Sequence, residues 1–188
     1  MNQIEEIKYT LKKSLHKVWD ADHQMEDEYV LNSPLGVFAQ TLHNVNPSVL
    51  ERLTYFSALK ALPCWEFHLD GTQLRERLRK IRNVVHAKLS KNQINTRSIS
   101  STLNDCRYSE TQGAADAIAY CAKYLETGNP IFAIYSLSGA DCAYDHIYTN
   151  DDYRNWLIDV ALDIAVDNDD ISEDALNEKS EKRKKYAL

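Results

Sequence analysis

Glycine and proline are scarce in this sequence, whose 188 residues contain five glycines and four prolines. A fold of many short strands needs such residues in its turns, so their scarcity argues against a loop-rich β fold and favours long helices. No stretch alternates apolar and polar residues over enough positions to predict a strand. The composition, 44% hydrophobic and 27% charged, is typical of a globular protein, and the length suits one domain.

Long apolar runs and closely paired cysteines are also lacking. No run approaches the roughly 20 residues that span a bilayer, and the N-terminal segment has no apolar stretch of the kind found in secretory signals. The cysteines lie in helical or near-helical segments, so we interpret them as reduced and mostly buried thiols: Cys64, Cys106, Cys121 and Cys142. We therefore expect a cytoplasmic protein without a membrane partner.

Residues 109–148 carry the most complete helix signals in the chain and predict a hairpin of two helices. Gly128 fits the left-handed position just past a helix C-terminus, Asn129 fits the cap of the next helix, and Pro130 fits its first turn. Small residues recur on each predicted helix: Gly113, Ala117 and Cys121 on the first, and Ser136, Gly139 or Ala140, and Ala143 on the second. Such stripes let two backbones approach closely, which favours this hairpin as the centre of a bundle.

Apolar spacing and helix-start signals predict further helices on both sides of the hairpin. They are expected over residues 2–19, near 25–32, from Ser33-Pro34, from Asn46-Pro47, over the basic stretch 74–91, near 99–106, and from Asn150 onward. Pro63 is expected to interrupt or bend its helix at Leu62. We therefore predict one all-α domain over residues 1–167, a bundle of about seven helices, followed by a polar, charged tail over 168–188.

The last helix has an apolar face that we expect to lie in the core. Its members are Trp156, Leu157, Val160, Ala161 and Ile164.

Charge is distributed unevenly around a formal net charge of −6. Residues 74–91 carry seven basic residues and one acid, whereas residues 141–174 carry eleven acids and one strong base, Arg154. Two interpretations stay open. Both runs are solvated helix faces that pair with each other inside the fold, or the acidic surface attracts a basic partner at long range.

Candidate metal and catalytic residues are few. Cys142 and His146 lie four apart and Cys121 lies on the neighbouring predicted helix, but zinc needs four ligands, usually in closer local pairs. Cys64 and His68 share a helix face, yet no glycine-rich elbow, oxyanion-forming turn or phosphate-binding loop accompanies them. We therefore expect no metal, no cofactor and no catalytic activity.

The basic stretch 74–91 supports an alternative function. Its sequence places Arg75, Arg79 and Arg82 on one side of a helix, where they could contact phosphates. Against nucleic-acid binding, the whole chain is acidic and no aromatic residues suited to base stacking lie between the arginines. The alternative to the function given below is thus a nucleic-acid-binding or phage-encoded interaction protein.

The hairpin sequence GAADAIAYCAKYLETGNPIFAIYSLSGADCAYDHIY also resembles a known family. It is similar to the central segment of an all-α family of immunity proteins from bacterial polymorphic-toxin systems. There, a small-residue helix with an early aspartate leads through a "tGdp"-like hinge into an alanine-rich helix. The positions that carry the likeness are Asp116, Ala117, Ala119, Tyr120, Leu125, Thr127, Gly128, Asn129, Pro130, Ala133, Ala140, Tyr144 and Asp145.

Two further stretches carry similarities. The run DDYRNWLIDVALDIA, residues 151–165, looks like the closing helix of the immunity family, although this chain has Asn129 where that family more often has aspartate. The runs LERLTYFSALKALPCWEF and LRERLRKI are similar to early helices of the YjaG-like helical family of unknown function.

The resemblance to immunity proteins implies a non-enzymatic protein that binds one cognate toxin and blocks it. An acidic surface suits a basic nuclease, because carboxylates can occupy its positive substrate groove. We therefore predict a toxin-binding surface at the exit of the hairpin, formed by Asp141, Tyr144, Asp145, Tyr148, Asp151, Asp152, Tyr153 and Asp159. Tyrosines are frequent anchors in interfaces, but core tyrosines and solubilising aspartates would give the same pattern. Dimerisation through an exposed helix face stays open.

Overall fold

The computed structural model describes residues 3–13, 27–66, 79, 83, 109–145 and 150–167. Its helices are α1 (Gln3–Lys12), α2 (Asp27–Asn32), α3 (Pro34–Val45), α4 (Pro47–Glu66), α5 (Ser109–Thr127), α6 (Pro130–Asp145), α7 (Asn150–Trp156), a π-helical turn (Leu157–Ala161) and α8 (Leu162–Asp167). The last three follow one another without a break, and we refer to residues 150–167 as the C-terminal helix. Counted in this way, the described ranges hold seven helices and no strand, which confirms the all-α bundle.

Several predicted elements lie outside the described residues. They include the second half of the helix over 2–19, the helix near 99–106, and the tail over 168–188, so the proposed end of the domain at residue 167 stays a prediction. Within the basic stretch 74–91, only Arg79 and Asn83 are described, and both are helical and exposed.

The hinge between α5 and α6 is confirmed at the predicted residues. Gly128 has φ = 69°, and its N–H donates to the carbonyl oxygen of Tyr124 over 2.8 Å. The side chain of Asn129 accepts from the N–H of Ile131 over 3.1 Å, and α6 begins at Pro130. A left-handed glycine followed by an asparagine cap therefore ends one helix and starts the next.

The two helices of the hairpin touch through backbone atoms. A Cβ atom on Gly113 would lie 2.7 Å from the carbonyl oxygen of Gly139, and one on Gly139 would lie 2.7 Å from the carbonyl oxygen of Gly113. One turn further along, the buried Ser136 hydroxyl donates to the carbonyl oxygen of Ala117 over 2.6 Å. The small-residue stripes thus meet as predicted, and α4 packs against both helices.

The corners before α3 and α4 follow their cap signals. Ser33 Oγ accepts from the N–H of Gly36 over 3.0 Å, and Asn46 Oδ1 accepts from the N–H of Val49 over 3.4 Å. The expected interruption at Pro63 is wrong, because α4 runs through it to Glu66. Pro63 lies three residues before the end of α4, so its missing hydrogen bond and any bend that it causes affect only the last turn.

The predicted core face of the C-terminal helix is only partly correct. Leu157, Ala161 and Ile164 are buried as predicted, but Trp156 and Val160 are half-buried. The buried residues include two rows spaced by four: Tyr153, Leu157, Ala161 and Ala165, and Arg154, Ile158 and Leu162. In an α-helix a row of every fourth residue drifts by about 40° per step. The wider π turn, in which the N–H of Leu162 donates to the carbonyl oxygen of Leu157, counteracts this drift.

Helix α1 lies between α3 and the C-terminal helix. Ile7 and Leu11 are buried, Lys8 forms an ion pair with Asp163, and Lys12 Nζ lies 2.5 Å from Asp159 Oδ1. Within the described residues, acids of the C-terminal helix therefore pair with lysines of α1. The suggested pairing with the basic stretch 74–91 falls on residues that are mostly outside the described ranges.

Candidate functional site

Asp141, the first residue of the predicted toxin-binding surface, is a core residue. Its exposed fraction is 0%, and it forms a bidentate ion pair with the buried Arg154. Arg154 Nε lies 2.9 Å from Asp141 Oδ1, and Arg154 Nη2 lies 2.6 Å from Asp141 Oδ2. Two parallel charge-assisted hydrogen bonds compensate both charges for the loss of water, so this carboxylate holds α6 against the C-terminal helix.

Two predicted tyrosines are also interior. The Tyr153 hydroxyl lies 3.1 Å from Ser57 Oγ and 3.3 Å from the carbonyl oxygen of Leu137, and burial raises the pKa of Tyr153 above its usual range. Tyr144 donates to the carbonyl oxygen of Lys60 over 3.0 Å. Burial excludes Asp141, Tyr144 and Tyr153 from a contact surface in this fold, because the C-terminal helix and α4 cover that end of α6.

The remaining members of the predicted surface divide into two groups. The Asp159 side chain is 45% exposed and pairs with Lys12. Asp145, Asp151 and Asp152 belong to helices, but their side chains, and the whole of Tyr148, lie outside the described part. No single patch of described side chains therefore unites the eight predicted residues.

The other candidate residues are scattered or outside the described ranges. Arg79 is exposed, whereas Arg75 and Arg82 are not described. Cys121 is buried and Cys142 half-buried, and no group of three His, Cys, Asp or Glu residues suited to a metal occurs among the described residues. Burial raises the pKa of the Cys64 thiol, which disfavours the thiolate that nucleophilic chemistry requires.

An open groove of about 700 Å³ lies between α1 and α3. Its described lining comes from Gln3, Glu6, Ile7, Thr10 and Leu11 of α1, from Asn32 at the end of α2, and from Pro34, Val37, Phe38, Thr41 and Val45 of α3. The positions on each helix are spaced by three or four residues, so each wall is a single helix face. A volume of this size is typical of sites that bind a ligand or an anchoring group.

The groove has an apolar floor and two exposed valines on its outer edge. Ile7, Leu11 and Phe38 form the floor and are buried, whereas Val37 is 47% exposed and Val45 is 38% exposed. Two valines that are left this accessible beside a buried floor make α3 the best candidate contact surface in the described part of the chain.

Charge in the groove is of one sign. Glu6 is the one charged side chain among the described residues that line it, and it is exposed. The lysines of α1 that pair with acids, Lys8 and Lys12, contact the C-terminal helix on another face. The groove therefore presents an apolar strip with an acidic group on its α1 side.

Sequence reasoning missed this groove. The apolar residues of α1 and α3 predict amphipathic helices, and one face of each helix does supply the core. Whether a neighbouring helix covers the rest of that face is not encoded within the helix itself, so no local signal separates a covered valine from an open one.

None of the helices that the structure describes is both long enough and apolar enough to cross a membrane. Comparison with protein families, curated proteins and solved structures finds no match to this chain. What the groove can do therefore follows from its own geometry and charge.

Proposed function

We propose that this protein is a cytoplasmic, non-catalytic immunity protein that binds a cognate bacterial toxin and blocks it by protein–protein contact. The observation that carries the binding role is the open groove between α1 and α3, with the half-exposed Val37 and Val45 at its edge. The resemblance of the hairpin to immunity proteins supplies the class of partner.

The described polar clusters support a binding role over a catalytic one. Asp141 and Arg154 neutralise each other's charge in the core, and the Tyr153 hydroxyl forms hydrogen bonds with Ser57 and with a backbone carbonyl. These groups stabilise helix contacts, and none of them lines the groove between α1 and α3. A raised thiol pKa at Cys64 points in the same direction.

The charge of the molecule favours a basic partner. The formal net charge is −6, and an acidic protein associates faster with a positively charged one because long-range attraction steers the encounter. A toxin that cuts nucleic acid has a positive substrate groove, and this is the class of toxin that we propose. Asp145, Asp151, Asp152 and the half-exposed Asp159 remain the proposed acidic contribution to the contact, and Tyr148 remains a proposed aromatic anchor.

Co-expression with the toxin encoded beside this gene tests the proposal. Cells that make both proteins should grow, and the two proteins should co-elute as a stable complex in size-exclusion chromatography. An unrelated polymorphic toxin, expressed at the same level, is the matched control and should kill in the presence of this protein. Absence of both rescue and complex with the neighbouring toxin would refute the immunity function.

A further inference from the structure

We infer that the groove between α1 and α3 is the binding site for an amphipathic helix of a protein partner. This helix inserts an apolar face and places a basic residue beside Glu6. This inference deepens the proposed function, since it rests on a role in protein binding and names the partner's chemistry at one site.

The shape of the groove fits a helix. Its walls are helices of 10 and 12 residues, which are about 15 and 18 Å long at 1.5 Å per residue. Val37 and Val45 lie eight residues apart on α3 with the exposed Thr41 between them, so this edge of the groove extends over about 12 Å. A strip of that length matches two to three turns of a partner helix that presents apolar residues at spacings of three and four.

The charge of the groove selects the partner. Glu6 is exposed and is the sole charged group among the described lining residues, and the lysines Lys8 and Lys12 are committed to Asp163 and Asp159 on another face. A helix with acidic residues beside its apolar face would be repelled by Glu6, and no described lining residue carries a compensating positive charge. A helix with lysine or arginine at that position gains an ion pair at the rim, which favours it over neutral and acidic helices.

A pair of synthetic peptides provides the probe. One is an amphipathic helix of leucine and lysine with leucines at helical spacing, and the other has glutamate in place of every lysine. Titration of fluorescently labelled peptide with the full-length protein, read by anisotropy, should give saturable binding of the Leu/Lys peptide. The Leu/Glu peptide should bind at least tenfold more weakly.

Charge-reversal variants on α1 separate the groove from the net charge of the protein. Glu6→Lys should weaken binding of the Leu/Lys peptide by roughly threefold to tenfold, as expected for reversing a rim charge. Glu5→Lys is the matched control, because Glu5 is exposed on the same helix and does not line the groove. Equal effects of the two variants would show that only net charge matters and would overturn the inference.

An apolar-to-acidic change on α3 is an independent test, because electrostatic binding and binding in the groove predict opposite changes in affinity. Val37→Asp makes the protein more acidic, so purely electrostatic binding of the Leu/Lys peptide would become tighter. Burial of a carboxylate under the partner's leucines should instead weaken binding by roughly tenfold or more. Tyr29→Asp, at an exposed aromatic residue outside the groove, is the control and should leave the affinity within about twofold of the original value.

Two other occupants of the groove, a second copy of the chain and another part of the same chain, can be distinguished from a partner helix. A dimer in light scattering that Val37→Asp converts to a monomer would assign the groove to a second copy of the chain and overturn the inference. If the introduced thiol of the monomeric Val37→Cys variant does not react with maleimide, the chain covers its own groove. That result would also overturn the inference. Toxin rescue is measured without peptides, so failure of the groove inference leaves the immunity proposal to its own test.

Discussion

The buried ion pair of Asp141 and Arg154 shows how one residue of an acidic run becomes structural. The side chains are 1% and 8% exposed, so neither charge is solvated by bulk water, and each depends on the other. Removing one partner of such a pair leaves an uncompensated charge in the core, which costs far more than breaking a pair at the surface.

We therefore expect Asp141→Ala to lower the free energy of unfolding by about 3–5 kcal/mol, measured by urea denaturation. Asp159→Ala is the matched control, because it breaks the half-exposed pair with Lys12 and should cost less than about 1 kcal/mol. The double variant Asp141→Leu with Arg154→Met should recover much of the loss, since it removes both charges together. Similar small losses in both single variants would contradict the structural role of Asp141.

Two buried tyrosines should make the protein less stable at alkaline pH. Burial raises the pKa of Tyr153 and of Tyr124, and the charge of Glu51 adds to the effect at Tyr124, whose hydroxyl lies 2.9 Å from His43 Nδ1. A pKa above the unfolded value of about 10 means that the folded state holds these protons more tightly. This contribution is complete below about pH 10 and is lost as the pH rises further toward the folded pKa.

The melting temperature should accordingly fall above about pH 10, followed by circular dichroism. Tyr153→Phe should make that fall shallower, although the variant loses a hydrogen bond and is less stable at neutral pH. Tyr29→Phe alters an exposed tyrosine and should leave the slope unchanged. A slope that is the same in all three proteins would show that Tyr153 does not hold its proton in the folded state.

At the scale of helices, the hairpin depends on two glycines for two different reasons. Gly113 sits where α5 and α6 cross, and an added Cβ would lie 2.7 Å from one backbone atom of α6 and 2.8 Å from another. Gly128 has open space around its Cα but a positive φ of 69°, which side chains rarely adopt. Space limits the first position and backbone conformation limits the second.

Alanine and asparagine should therefore rank in opposite order at the two positions when they are compared by the loss in free energy of unfolding. At Gly113, alanine should cost about 1–3 kcal/mol and asparagine more, because the helices must separate further for the larger side chain. At Gly128, alanine should cost about 1–2 kcal/mol and asparagine less, since asparagine tolerates the left-handed region. Urea denaturation of the four variants measures both orders, and the same ranking at both positions would count against this explanation.

The C-terminal helix shows how a single irregular turn changes what a helix buries. Without the π turn, the row from Tyr153 to Ala165 would drift around the helix, and its later members would turn away from α4. With it, Arg52 of α4 donates from Nε to the carbonyl oxygen of Ala165 over 2.7 Å, near the C-terminal end of α8. The π turn and this buried arginine together fix how the end of the helix meets α4.

At the scale of the molecule, the sign of the charge separates the two candidate functions. The formal net charge of −6 opposes phosphate backbones, and Arg79 is the one member of the proposed phosphate-binding trio in the described part. We expect the protein to elute from heparin at low salt. Retention at moderate salt that is lost when Arg75, Arg79 and Arg82 are all changed to glutamate would instead favour the nucleic-acid alternative, provided that the variant remains folded by circular dichroism.

The starts of α3 and α4 and the hinge between α5 and α6 were predictable from the sequence because their causes are local. Ser33 and Asn46 accept from backbone N–H groups three residues ahead, and Gly128 supplies a positive φ at the residue that needs it. Each of these interactions involves residues within one turn, so their order in the chain is enough to predict them. The all-α class follows from the same signals and from the scarcity of breaks.

Burial was decided only by the tertiary structure. Asp141 looked like a surface acid because its neighbours are acidic, but its partner Arg154 lies 13 residues away on another helix and removes both from water. Val37 lies on an amphipathic helix that buries Leu35, Phe38 and Leu42, yet it stays open at the groove. The sequence by itself determined where helices form, and the packing of distant helices decided which faces remain available for binding, because burial is a property of neighbours that local patterns do not contain.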